Sequence, residues 1–399
     1  MNQKLTIDNY YDKSEFILLI ILFFAAMNFQ AKFFYFVFLG FFVMCISSGC
    51  LRVNRSCILY LLLGIIMGLY SYADGILEVI RRFAYLANYL VGYNLIKRRI
   101  KKASLQDDRT ELLFRSVFIV SALGSFTHYM INFITNSNNI VGRNTIDFWS
   151  GETMSSTGQA TLAALIIGLC CALFIYPNHK FDRWFAIVIT VCVLLYNLIL
   201  SGRTILVVYA VTLSVAVIYV LKNEENKSKK TKVILLIILA FSMIIILYSF
   251  NVFGIRDIVE NSNLYLRFLG TSSNEILRTS RNERKILFLQ NMYKYPLGGL
   301  HLRARFGYAH DLLLDGYDEF GFITFILLIL IIIRSLKECL YCLKYSSISL
   351  QTKIILLCIY VSIFLEFSVE PIFAGMPWLF ACFCLFSGTV SAIRESEVN

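Results

Sequence analysis

Charged side chains are scarce in this chain. Asp, Glu, Lys and Arg make up only 16% of its 399 residues, while 58% are hydrophobic; an average soluble domain has about 25% charged residues. A water-soluble fold of this length could not cover so much apolar surface, and a chain this apolar, with only 4 prolines, is not a disordered one. Regular polar interruptions are missing too. The apolar runs are long and do not alternate with polar residues, which argues against an outer-membrane barrel. Asp-x-Asp is absent, and with it the usual carboxylate clamp for a metal-bound sugar nucleotide. There is no P-loop and no His-Glu-x-x-His. No metal and no cofactor are therefore expected, and with no room for an ATPase site, energy has to come from a substrate that is already activated.

What is present is span-forming sequence. A helical span needs roughly 20 apolar residues, and runs of that kind lie near 14–31, 33–50, 56–73, 76–96, 112–134, 157–176, 184–200, 205–221, 233–250, 312–333, 354–370 and 372–393. The expected fold is all-α, a single polytopic membrane domain over 1–399 with about twelve transmembrane helices. The first run lacks a small-residue cleavage site after it and reads as a retained span. Lys and Arg are retained on the inner side. They concentrate in 51–55, 97–111, 177–183, 222–232 and 334–353, which include KRRIKK and KNEENKSKKTK. Both termini and these loops are therefore expected inside. The net charge of +11 follows from this asymmetry and does not mark a nucleic-acid binder. The 11 cysteines all fall in spans or inner segments. Cys339-x-x-Cys342 has no second pair nearby, so neither a disulfide framework nor a zinc site is expected.

Two outer loops are long, 135–156 and 251–311. The second lies between the ninth and tenth spans and carries nine Lys and Arg against five acids, net +4. Cations on an outer face need a reason, and an anionic ligand is one. Ser280-x-x-Glu283 is a capping box and predicts a helix from about Arg281 to Tyr293. Arg281, Arg284 and Lys285 would share its first turns, a phosphate cradle. Tyr295-Pro296-Leu297-Gly298-Gly299 reads as a turn. His301, Arg303, Arg305 and then His310-Asp311 follow at the mouth of the tenth span, and Asp315, Asp318 and Glu319 on its first turns. Histidine suits general-base work near neutral pH.

Further candidates lie elsewhere. Arg203 sits in the short turn Ser201-Gly202-Arg203-Thr204. Arg81 and Arg82 are about one turn inside the fourth span, where charge is expensive and functional by default; the bland alternative is a Glu78–Arg82 ion pair. Arg143 is in the shorter outer loop. Glu366 and Glu370 could pair with these arginines.

With these residues the chain resembles the bacterial O-antigen polymerase and O-antigen ligase superfamily of membrane glycosyltransferases. Ser201-Gly202-Arg203-Thr204 looks like the family's Ser-Gly-Arg turn. Arg281 through Gly299 looks like its arginine, helix and Pro-Leu-Gly turn. AHDLLLDGYDEFGFITFILLIL (309–330) looks like its Ala-His-Asn…Glu-x-Gly segment. The chain departs from the pattern with Asp311 where Asn is usual and Lys285 where an aromatic is common.

The resemblance implies metal-independent, inverting transfer of a glycan from an undecaprenyl diphosphate carrier at the outer face of the cytoplasmic membrane. The expected function is polymerisation of a surface polysaccharide, O-antigen or capsule. Arg203, Arg281 and Arg284 would hold the diphosphate. His310 would serve the acceptor hydroxyl. Arg81, Arg82, Arg143, His301, Arg303, Arg305, Asp311 and Asp315 would line the substrate site. Expected partners are the lipid-linked oligosaccharide, membrane lipids, a chain-length regulator and a flippase. The alternatives are a ligase moving finished glycan to an acceptor, and a non-catalytic flippase, which predicts internal repeats and a charged central path that the sequence lacks.

Overall fold

The structure, a computed structural model, describes residues 11–136, 144–262, 264–265, 269 and 280–398, with Ser280 defined by its backbone alone. Helices dominate it. Contacts divide the chain into two compact units. One comprises 1–128, 280–353 and 367–399, the other 129–279 and 354–366.

The first unit contains α1 (Lys13–Ala26), α2 (Phe33–Ser48), α3 (Ser56–Tyr70), α4 (Ile76–Arg82), α5 (Ala84–Ala103) and most of α6 (Asp108–Asn136). The second contains the end of α6, then α7 (Ser156–Ile175), α8 (Lys180–Leu200), α9 (Arg203–Asn223), α10 (Lys227–Ser249) and α11 (Ile255–Glu260). The chain then returns to the first unit for α12 (Ser280–Asn291), α13 (His301–Phe306) and α14 (Leu312–Tyr345). α15 (Leu350–Phe367) belongs mostly to the second unit, and α16 (Ile372–Gly375) and α17 (Pro377–Val398) to the first.

Among the described residues eight helices are long and apolar enough to cross a membrane: α6 to α10, α14, α15 and α17. A helix is the natural answer to hydrocarbon because it bonds its own backbone groups internally. The protein is thus helical and membrane-embedded. The other four expected runs also carry helices, but shorter or more polar ones. The run at 76–96 is two helices meeting at Phe83, and the last run is broken around Met376.

In the first unit α5 and α17 pack side by side. Tyr85 stacks edge-on against Phe380 (5.0 Å between centroids), and the buried Asn88 amide donates to the Ala381 carbonyl (2.6 Å). Nearby helix α14 is broken at Gly321 (φ 77°, ψ 179°), a conformation open to glycine alone.

In the second unit α7 is buried along almost its whole length and serves as the core. The stretch 135–156, expected as a loop, contains an antiparallel pair, β1 (Asn144–Ile146) with β2 (Thr153–Ser155), in the register Thr145 opposite Met154. Asn132 and Asn136 on α6 hold this hairpin through Asp147 and both backbone groups of Ile146. α10 exposes nearly every residue, as a helix facing lipid does.

Candidate active site

The described residues of the 251–311 stretch are largely helical. Within the first unit α12, α13 and the start of α14 close over a small apolar core of Phe288, Leu302, Ala309, Leu314 and Tyr317. The Tyr317 hydroxyl lies 2.7 Å from the Met292 carbonyl and 2.6 Å from that of Tyr295, which pins the turn that follows α12. That turn, Pro296 to Leu300, docks into the break of α14. Phe322 N–H donates to the Pro296 carbonyl (2.9 Å), and Leu300 N–H to that of Asp318 (2.9 Å). Backbone groups that the break takes out of the helix ladder are thereby satisfied. Gly298 (φ 68°) sits deepest. A Cβ there would lie 2.6 Å from the Tyr317 carbonyl oxygen.

The docked turn fixes a cluster of cations. Arg281 on the first turn of α12 donates to the Val369 carbonyl (3.1 Å) and to the Glu370 carboxylate (3.2 Å). Lys285, one turn on, donates to the Ser368 carbonyl and pairs with Asp311 (3.3 Å). Asp311 in turn caps α14, accepting from Leu313 N–H (3.0 Å) and Leu314 N–H (3.4 Å). Arg284 lies against Gly307.

His310 stands among these charges. Its backbone is left-handed (φ 52°), a strained conformation of the kind that gathers at functional sites. Its side chain is 18% exposed, and Nδ1 is 4.0 Å from Glu370 Oε2, too far for a hydrogen bond. Burial, then the nearby Arg281, Arg284 and Lys285, push its pKa down from 6.5 to about 4. The imidazole is therefore neutral at physiological pH and free to accept a proton.

Arg303 sits in a second cluster. Its guanidinium is taken up by Asp315 (2.7 Å), Glu319 (3.1 Å) and Asp318 (3.4 Å), and lies 4.7 Å from the Tyr308 ring centre. Asp315 accepts in addition from Phe373 N–H (2.6 Å) and Ala374 N–H (3.1 Å). Arg303 and Asp315 thus tie α13, α14 and α16 together. His301 is exposed and stacks on Tyr295 (4.9 Å), and Arg305 is exposed over Phe306 (5.2 Å).

The Glu78–Arg82 pair is corrected. Glu78 pairs with Arg81, which lies over Phe34, while Arg82 donates to the Ser71 hydroxyl (2.8 Å) and lies over Phe320. At i+3 on a short helix Arg81 reaches Glu78 as readily as the i+4 residue would. Glu370 pairs with Arg281. Glu366 belongs to the second unit and accepts from Thr161 (3.2 Å). Arg203 opens α9 in that unit. Arg143 and the Ser280 side chain of the capping box lie outside the described residues.

Glu370 and Lys285 are the members that the sequence placed least well. Glu370 is 89 positions from Arg281, and only its place beside Pro371 hints at a turn. No protein-family model matches the chain, and no curated protein is significantly similar to it.

Proposed function

We propose that the protein polymerises a surface polysaccharide, O-antigen or capsule, from oligosaccharide repeats carried on undecaprenyl diphosphate. One observation carries the reading: a neutral histidine held among three cations at the start of a long membrane helix. Arg281, Arg284 and Lys285 would bind the diphosphate, whose negative charge replaces that of Glu370 and Asp311. The same charge offsets the cations that depress His310, so substrate binding makes the imidazole a stronger base.

The acceptor hydroxyl oxygen then attacks the anomeric carbon of the donor sugar. The bond from that carbon to the diphosphate oxygen breaks, and the electron pair leaves with undecaprenyl diphosphate. The hydroxyl proton passes to His310 and from there to water. Cations at the leaving oxygens stabilise the developing charge, and the step inverts the anomeric centre.

On this reading the chain lies in the cytoplasmic membrane of a bacterium with about twelve spans. Both ends are inside, and 251–311 is on the outer face. Lys285 and Asp311, the two positions that depart from the family pattern, bond each other.

The test is His310→Ala and Arg284→Ala in cells lacking the native copy, read as the glycan ladder on a gel. A single attached repeat without longer rungs is the expected result. Loss of all attached glycan would assign the ligase reaction instead, and a normal ladder from well-expressed His310→Ala removes His310 from the chemistry.

A further inference from the structure

Toward the opposite end of α14 from His310, the first unit holds a charged cluster that the reaction above does not use. Glu338 is buried, and its Oε1 receives two guanidinium groups: Arg334 from one turn back on α14 (3.2 Å) and Arg394 from α17 (3.3 Å). Arg334 Nε also donates to the Ser56 hydroxyl, on the first residue of α3. Beside it Ser335 and Ser387 bond each other (2.7 Å). They border a polar pocket with room for about one water.

The charges do not balance. One carboxylate serves two guanidinium groups, and among the described residues neither arginine has another ion pair. Each is held through a single nitrogen, Arg334 by Nε and Arg394 by Nη1. Their remaining N–H groups make no hydrogen bond among the described residues, and the two side chains are 34% and 39% exposed. Exposed guanidinium donors with a surplus positive charge are receptors for phosphate oxygens. Because both arginines reach the same carboxylate oxygen, one phosphate can touch both.

The surroundings indicate what carries that phosphate. Ser56 opens α3, and Arg394 lies one turn from the end of α17. The arginines are therefore level with helix ends, where lipid headgroups lie. From that level apolar surface continues along both neighbouring helices. On α14 Leu330 and Ile326, at i−4 and i−8 from Arg334, are exposed. On α3 Leu62 is exposed one turn beyond Leu59, which lines the pocket. A free phosphate leaves that surface bare, whereas acyl chains cover it.

We propose that Arg334 and Arg394 bind the headgroup phosphate of an anionic glycerophospholipid, whose acyl chains lie along Ile326, Leu330 and Leu62. Lys337, exposed at i+3 from Arg334, adds positive charge at the same mouth and favours an anionic headgroup over a zwitterionic one. Basic pockets between helix ends are a general form of lipid-headgroup site. None of these residues belongs to the proposed reaction.

The experiment is native mass spectrometry of the purified full-length protein with phosphatidylglycerol, in competition with phosphatidylcholine. Wild type should retain one phosphatidylglycerol per chain in preference to phosphatidylcholine. Arg334→Gln and Arg394→Gln should each weaken that retention about fivefold. Lys344→Gln removes the same charge nearly three turns further along α14, where Lys344 lies over Tyr345, and should leave retention unchanged. Glu338→Gln keeps an acceptor for both arginines but removes the competing charge, so retention should rise, a sign that a loosened fold cannot imitate.

Should the arginine variants not fold, Glu338→Gln decides, and the reverse holds if Glu338→Gln fails. Equal retention of the two lipids by wild type overturns the site. So does retention unchanged in the folded arginine variants, not raised in folded Glu338→Gln, or lowered as much in Lys344→Gln. Displacement of phosphatidylglycerol by an equal concentration of inorganic phosphate would mark a free-anion site and overturn the lipid.

Discussion

Lys285 Nζ lies 3.3 Å from Asp311 Oδ2, while Asp311 Oδ1 caps the helix that begins at Leu312. One carboxylate thus fixes both the helix of the cations and the start of the membrane helix. The two functions separate by mutation. Asp311→Asn keeps a good cap and loses only a partly exposed ion pair, an effect of about 0–1 kcal/mol. Asp311→Ala also loses the cap, roughly another 1 kcal/mol. Thermal midpoints of the purified variants should fall in the order wild type, Asn, Ala; equal midpoints for Asn and Ala would deny the cap its role.

His310 predicts a pH dependence of stability. Its pKa is lowered from 6.5 to about 4, so between those values the unfolded chain binds the proton more readily than the folded one. Stability from this group is complete above pH 6.5 and is lost as pH falls towards 4, by at most about 3 kcal/mol. His310→Ala should flatten that part of the stability profile between pH 7 and pH 4.5. An unchanged slope in the variant would locate the acid sensitivity elsewhere.

Gly298 and Gly299 are adjacent and both left-handed (φ 68° and 82°), yet they should differ in tolerance. A Cβ on Gly298 meets backbone oxygens at 2.6 and 2.8 Å, whereas one on Gly299 meets only the His301 ring at 3.3 Å. Both alanines carry a left-handed penalty of about 1–2 kcal/mol. Gly298→Ala must in addition displace the turn from the break in α14. Expression and midpoint should drop further for Gly298→Ala; equal losses would mean that the docking is dispensable.

Arg303 and Arg305 are two residues apart and should behave oppositely. Removing Arg303 leaves the buried Asp315 and Asp318 and the partly buried Glu319 without their cation, a loss of about 3–5 kcal/mol by comparison with other broken buried pairs. Arg303→Lys will not restore it, because one ammonium cannot serve three carboxylates in a fixed fork. Arg305→Ala should leave the midpoint within about 0.5 kcal/mol of wild type. Chemical denaturation of the three variants in detergent measures this directly, and a mild Arg303→Ala would refute the clamp.

Where helices lie was legible because apolar runs signal them locally: every run read as a span carries one. Where helices break was not. Gly321 shows only as one glycine in an apolar stretch, and its break depends on Pro296 and Leu300 arriving from elsewhere in the chain. The site divides the same way. His310, Arg281 and Arg284 could be nominated from spacing and charge. Spacing could not say that Arg303 turns inward to three acids while its neighbour Arg305 stays exposed. It could not bring Glu370 to Arg281 across so many residues, nor reveal that Lys285 and Asp311 pair with each other.

Because Arg281 and Lys285 already hold Glu370 and Asp311, the cluster would, on the proposed function, work as an ion exchanger. An entering anion must displace two carboxylates that are tethered to the chain and return at once when a weak competitor leaves. Chloride or a single phosphate can release one at a time; a diphosphate reaches both cations together. On that proposal, selectivity for a bidentate anion would arise from the occupied state of the pairs and need no dedicated pocket.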